Sequence, residues 1–439
     1  MEDVGVSFSA LNVASGTEFK NKLTADPYGS YTLTSDIDMN GAALQVSVFY
    51  GTLDGAGHTI KNFKQLLASD TGSAGLFGTF QGTVKNLKLS GVNLRARTAG
   101  ALAGTCTGAT IESVSAGGSV EAGLTAGGIC GTMGGGSITS SSATGTVKST
   151  SGDAGGLFGS TSIGRSGLGV AITSGSVAGM TVTGMTTSAG LVGYCQDPII
   201  LRSTVDATVS SQLVAGGICG EMNGGRIQNS YARGSSVTST GSAAGGIVGK
   251  AGIGMLEQPS DRIEIRSCYS QFTNVVAGLE AGGIVGTGQD PLMYDVYTKG
   301  NVTGTGAVGG LIGAALSDAH GWTLNNGIYR GAVTDRTRAW AGVVGVAELS
   351  IAPTFRWTTT LFNSDLETAG DPYLHVDDRQ KPATGAALVA PTTSKGGVYC
   401  WGTPPDCGDS TFPNEQWNPG TSGEHHTLRN MPGPNAQPK

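Results

Sequence analysis

The chain has 439 residues, of which 74 are glycine and only 13% are charged, with a net charge of −6 and an isoelectric point near 5.4. So much glycine without a Gly-X-Y period excludes both an ordinary packed domain and collagen, and regularly interspersed apolar residues fit disorder poorly. An acidic chain lacks the clustered Lys and Arg that bind phosphate backbones, so no nucleic-acid partner is expected.

From the N-terminus, "MEDVGVSFSALNVASG" has neither the basic nor the apolar region of a secretion signal. The chain is read as a trimmed mature form, a fragment, or a protein exported by another route. No apolar run approaches the roughly 20 residues that span a bilayer, so no transmembrane segment is expected. "SGTEFKNKLTADPYG" is the one convincing helix, with Thr17 as N-cap and Phe19 and Leu23 on one face. "YTLTSDIDMNG" and "FYGTLDGAGHTIKNF" follow as the first strands, so residues 1–48 form an N-terminal cap with the first strands.

Residues 49–348 are a repeat array. The element Ala-Gly-(Gly)-aliphatic-x-Gly recurs ten times, from "AGLFG" ending at Gly78 to "AGVVG" ending at Gly345. Its closing glycines are 26, 27, 28, 34, 27, 29, 37, 27 and 32 residues apart. Between copies runs a second signature, as in "IESVSAGGSV" and "IQNSYARGSSV". No window shows helical periodicity, and three short strands in about 27 residues describe one coil of a β-solenoid. The predicted fold is all-β, a right-handed parallel β-helix of about ten coils with a short helical cap and an irregular C-terminal cap. Stacking at roughly 4.8 Å per coil joins the apolar residues into one core. The inward ladder comprises Leu76, Leu102, Ile129, Leu157, Leu191, Ile218, Ile247, Ile284, Leu311 and Val343. The glycines serve corners that need positive φ or close backbone approach.

Three coils carry longer excursions at one corner: Ser160 to Ala171, Lys250 to Glu264 and Ala314 to Thr323. Insertions on one face of an array are often the binding face. Within them Arg165, Met255, His320 and Trp322 are the candidate contact residues. Tyr231, Tyr269 and Tyr297 each follow a leading aliphatic residue by four positions, and Tyr329 comes one coil later. With Arg233, Lys299 and Arg330 close behind, the tyrosines read either as an exposed aromatic strip for sugar stacking or as a structural stack.

Cysteine usage offers no zinc set and no metal site. Cys106 to Cys130 and Cys195 to Cys219 share a 24-residue spacing, readable as small apolar fillers or as two disulfides. Cys400 and Cys407 in "CWGTPPDC" are a candidate local disulfide. From about Leu349 proline becomes frequent and Trp357, Trp401 and Trp417 appear, so residues 349–430 read as a C-terminal cap and 431–439 as a disordered tail.

At "YTLTSDIDMNG", "GTLDGAGHTIKNF", the ten motif copies and "GGRIQNSYARGSSV", the chain resembles the GLUG-repeat proteins, over about Glu18 to Val344. These are repeat regions of bacterial surface adhesins, two-partner-secreted exoproteins and IgA-specific metallopeptidases. The resemblance implies a right-handed parallel β-helix that is extracellular and usually non-catalytic.

No H-E-x-x-H helix, G-x-S-x-G elbow or phosphate loop is present, and no cofactor is implied. A carbohydrate-cleaving β-helix would need two carboxylates about 5 to 9.5 Å apart, yet Glu112, Glu221, Glu264 and Asp295 do not share a coil position. Asp36 and Asp38 read as part of the capping strand. The expected function is therefore a non-enzymatic extracellular structural or adhesive solenoid meeting a surface glycan or protein partner. A homo-oligomeric filament or virion-fibre subunit and a polysaccharide lyase or glycosidase are the alternatives. Ice binding ranks last because Thr is not confined to one column.

Overall fold

A computed structural model describes residues 10–252 apart from 166, residues 263–317 apart from 290, and strand segments between 323 and 428. The molecule is a parallel β-solenoid. One sheet stacks eleven strands, beginning with Val46–Phe49, Phe77–Phe80, Ala103–Thr107 and Cys130–Gly134 and ending with Val344–Leu349. The remaining strands of every coil join one long, bent parallel sheet that wraps the other sides of the rod. Neighbouring coils hold register at the inward isoleucines, as in Ile111 opposite Ile138, Ile138 opposite Ile172 and Ile172 opposite Ile200, and shift by one residue at bulges such as that between Thr144 and Thr146.

The expected rung is present. Leu76 through Leu311 in that series are all fully buried. Their backbones also bond directly from coil to coil: Leu102 N–H donates to the Ile129 carbonyl at 2.9 Å, Ile129 to Leu157 at 2.9 Å, and Ile284 to Leu311 at 2.9 Å. Val343, the last member of the predicted ladder, lies outside the described residues.

Two different residue sets satisfy the two demands expected of glycine. The motif glycines answer close approach. A Cβ on Gly127 would lie 1.9 Å from the Cys130 carbonyl oxygen, and one on Gly245 would lie 1.9 Å from that of Val248. Positive φ is met by other glycines, such as Gly108 (60°), Gly136 (89°) and Gly225 (81°), and at one corner by eight non-glycine residues, Asn86, Ser113, Ser140, Ser174, Arg202, Asn229, Ser267 and Asp295, with φ between 48° and 54°. All eight follow the same ladder position, just after the residue aligned with Lys85, Glu112 and Thr139. A non-glycine residue in this region carries a penalty of about 1–2 kcal/mol, which short polar side chains reduce by bonding locally.

Beside that corner, inward serines replace apolar residues in the middle of the rod. The Ser203 hydroxyl accepts the Gly175 amide at 3.2 Å and donates to the Leu201 carbonyl at 3.1 Å; Ser230 does the same for the Ser203 amide and the Gln228 carbonyl. They satisfy backbone groups that the bend turns away from the ladder.

The N-terminal end is closed by the helix Gly16–Ala25, which turns Phe19 and Leu23 inward. Its cap is Ser15, not Thr17. Ser15 is extended (φ −148°, ψ 161°) and its hydroxyl accepts the Glu18 amide, while Glu18 reaches back to the Ala14 amide. This Ser-x-x-Glu arrangement is a capping box shifted by one residue at its return bond, and it leaves Thr17 inside the first turn. Leu11–Val13, missed in the sequence, forms a strand beside Ser30–Leu33. Phe19, Phe49, Phe77 and Phe80 then pack with ring centres 5.0 to 6.2 Å apart and fill the first coils. The predicted C-terminal cap and tail lie largely outside the described residues.

Candidate functional site

The tyrosine strip is a correction. Tyr231, Tyr269, Tyr297 and Tyr329 are all buried, between 0% and 8% exposed. Parallel coils place Tyr231 opposite Tyr269 and Tyr269 opposite Tyr297. The first pair stacks with centres 4.9 Å apart and rings within 1° of parallel. Strand spacing thus hides the ring faces against one another, and no face is left for a sugar. Desolvation pushes the Tyr269 phenol well above its ordinary pKa, and raises that of Tyr231 to a smaller degree. Tyr329 does not continue the stack: Tyr297 faces Ile328, and Tyr329 falls on the core column behind Thr298. Arg233 is engaged by Asp206 at 3.0 Å.

The three excursions do leave one corner. Each follows a strand of the eleven-stranded sheet, ending at Ser162, Gly252 and Ser317, and each returns to ladder positions aligned with one another, Ala171, Glu264 and Thr323. Arg165 is exposed in the first, in a turn closed by the Gly164 amide on the Leu168 carbonyl; Leu168 is 68% exposed. Met255, His320, Trp322, Cys400 and Cys407 lie outside the described residues.

The cysteines supply a second correction, since the spaced pairs are not fillers. Cys106 bonds to Cys130 and Cys195 to Cys219, with Cα atoms 6.2 and 6.5 Å apart. Ala103 faces Cys130 and Cys106 lies three positions further on, and both cysteines are fully buried in the core between their coils. Each bond staples two adjacent coils through the core. Two structural disulfides mark a non-cytoplasmic protein. Cys268 is a buried free thiol, pushed up to about 12 by desolvation.

The carboxylates at the N-terminal end hold turns. Asp36 accepts the Thr59 amide and contacts His58; Asp38 accepts the Asn40 amide and the Asn62 side chain and pairs with Lys61. One coil on, Asp54 repeats the device with the Ala56 amide, Asn86 and Lys85. Backbone hydrogen bonds are the main cause holding Asp36 and Asp38 below the ordinary carboxylate range. At Asp54 burial pushes upward, but the Ala56 amide, Asn86 and Lys85 together outweigh it and the net shift is down. Glu221 pairs with Lys250 and Glu264 with Arg266, which in turn lies 4.4 Å over the Tyr294 ring. Glu112 faces Lys85 and Thr139, Glu221 faces Tyr194 and Lys250, and Glu264 faces Arg226 and Leu292. Among the described residues no three His, Cys, Asp or Glu converge as a metal site, and no helix is long and apolar enough to cross a membrane.

Hydroxyl side chains are more ordered than the sequence indicated. Ser119, Thr146, Thr181 and Thr208 align in one outward column, and Thr183, Ser210 and Thr238 in another. The lattice is interrupted by Glu121 and Lys148 at one end and by Asn274 and Val276 at the other.

No family model matches the chain. No curated protein matches it either. Among solved structures, it is similar to a "putative immunoglobulin A1 protease" from Bacteroides ovatus, at 20% identity and a TM-score of 0.39. That likeness covers 77% of this chain and 84% of the other. At such a TM-score it says nothing about activity.

Proposed function

We propose that the chain is a non-catalytic extracellular solenoid of the GLUG-repeat kind, acting as a structural or adhesive element that meets a surface glycan or partner chain. The carrying observation is the division of labour along the rod. Asp36, Asp38, Asp54, Glu221 and Glu264 are spent on turns and ion pairs, whereas the longer excursions gather at one corner, where a rigid scaffold presents loops. Two internal disulfides support service in an oxidising environment.

The test is adhesion of fluorescent beads carrying the protein to host or bacterial cell surfaces. A variant in which residues 163–169 are replaced by a single Gly, which with Val170 restores the two-residue connection that Gly135 and Gly136 make one coil earlier, is the partner sample. Retained folding with lost adhesion is expected. Release of reducing ends from a polysaccharide panel by the intact protein would overturn the non-catalytic reading.

A further inference from the structure

A recessed notch lies on another edge of the rod, where the long sheet turns toward the Ala-Gly motif. Ladder register measures the corner in four successive coils. Lys148, Thr183, Ser210 and Thr238 align on one side, and Ala154, Ser188, Ala215 and Ala244 on the other. The connections are residues 149–153, 184–187, 211–214 and 239–243, so two shorter corners lie between two that are one residue longer.

The short pair is recessed, and a groove of about 490 Å³ runs across it. Its inner hydroxyls are committed. Ser149 donates to the Leu124 carbonyl, Ser211 to the Thr186 carbonyl, and Thr183 and Ser210 bond to each other at 3.1 Å. Lys148 and Gln212 also line the groove, and neither side chain has an ion-pair or hydrogen-bond partner among the described residues. They stand two coils apart, roughly 10 Å along the axis. Between them Met185 is 36% exposed.

We propose that this notch binds a carboxylated saccharide. The carboxylate pairs with the Lys148 ammonium, a ring hydroxyl or amide further along the sugar bonds to Gln212, and the C–H face of the ring lies on Met185. Lys148 is the one cation lining the groove and selects an anion, the mainly apolar lining suits the C–H face of a sugar ring, and the volume suits a mono- or disaccharide. The inference deepens the adhesive reading by naming a ligand class, and it uses residues remote from the Arg165 loop.

The experiment is saturation-transfer NMR titration of the intact chain with sialyllactose and with digalacturonate, using lactose and maltose as neutral counterparts. Binding of at least one acidic probe is expected, falling on the order of tenfold in Lys148→Ala. Gln212→Ala should produce a smaller loss, and added salt should weaken the acidic probe selectively. Which acidic probe binds separates a sialic from a uronic acid. Both residues are exposed, so circular dichroism should be unchanged. Binding that ignores Lys148→Ala, no binding of either acidic probe, or equal binding of the neutral sugars would overturn the proposal. So would concentration-dependent self-association that buries this edge under a second copy. Loss of adhesion in the 163–169 variant with groove binding intact separates the two sites, and failure of groove binding alone leaves the adhesive reading standing.

Discussion

Replacing Gly245 by alanine adds one methyl group to the "AGGIVG" motif. Its Cβ would lie 1.9 Å from the Val248 carbonyl oxygen, 2.7 Å from the Val248 carbonyl carbon and 2.7 Å from the Gly286 amide nitrogen. Real Cβ atoms essentially never come closer than 3.0 Å, so backbone must move by about an ångström, and no flexible side-chain end is available to yield. The backbone on both sides is tied into coil-to-coil ladders, because Val248 donates to Ile284 and Gly246 to Gly282. Overpacking ordinarily costs about 1–3 kcal/mol, and this case belongs at or above the top of that range. Gly108→Ala is the control: nothing lies within 4 Å of its Cβ, but φ is +60°, so only the left-handed penalty of about 1–2 kcal/mol applies. Guanidinium titrations followed by circular dichroism should place Gly245→Ala at least about 3 kcal/mol below the parent and Gly108→Ala clearly less. A Gly245→Ala protein within about 1 kcal/mol of the parent would refute close approach as the reason for the motif glycine.

Other expectations are sharp enough to check. Each disulfide closes a 24-residue separation, worth about 3.4 kcal/mol on the chain-entropy estimate. Reductant should therefore lower the unfolding midpoint, and peptide mapping that failed to link Cys106 with Cys130 would reject the pairing. The Cys268 thiol, held near 12 by desolvation, should resist iodoacetamide at pH 8 in the native state and react once guanidinium is added. Asp36 and Asp38 have folded pKa values below their unfolded ones, so their stabilisation is present above about pH 4 and is lost as pH falls through the lowered values. Asp38→Asn should flatten the acid limb of the thermal melting profile; an unchanged limb contradicts the turn-holding role. Arg202 occupies the left-handed corner at φ 49°, where its neighbours in the column are mostly Asn and Ser. Arg202→Asn should raise stability by roughly 0.5–1 kcal/mol, and a loss would mean that this side chain has a role beyond the corner.

Much of the rod was legible because a solenoid repeats its constraints. Each copy of the motif puts an aliphatic residue at the same height, so Ile129, Leu157 and Leu191 could be assigned inward without coordinates. The 24-residue cysteine spacings were visible too, but spacing could not decide between filler and disulfide. That choice depends on the fold burying Cys106 and Cys130 of adjacent coils together, with Cα atoms 6.2 Å apart. The Thr17 cap was misplaced because Ser15 and Thr17 are both good caps, and only the extended backbone at Ser15 distinguishes them.

The sequence by itself determined the coil, its period, its rung and its glycine requirement, since these follow from a pattern that every copy must satisfy locally. Which outward residues are available was decided only by the tertiary structure. Along the chain Tyr231 and Tyr269 allow either a binding strip or a structural stack, and stacking at strand spacing turns their faces against each other. The Lys148 groove has no motif at all. It arises because two neighbouring corners are one residue shorter than those flanking them, a difference that becomes a shape only when the coils are stacked.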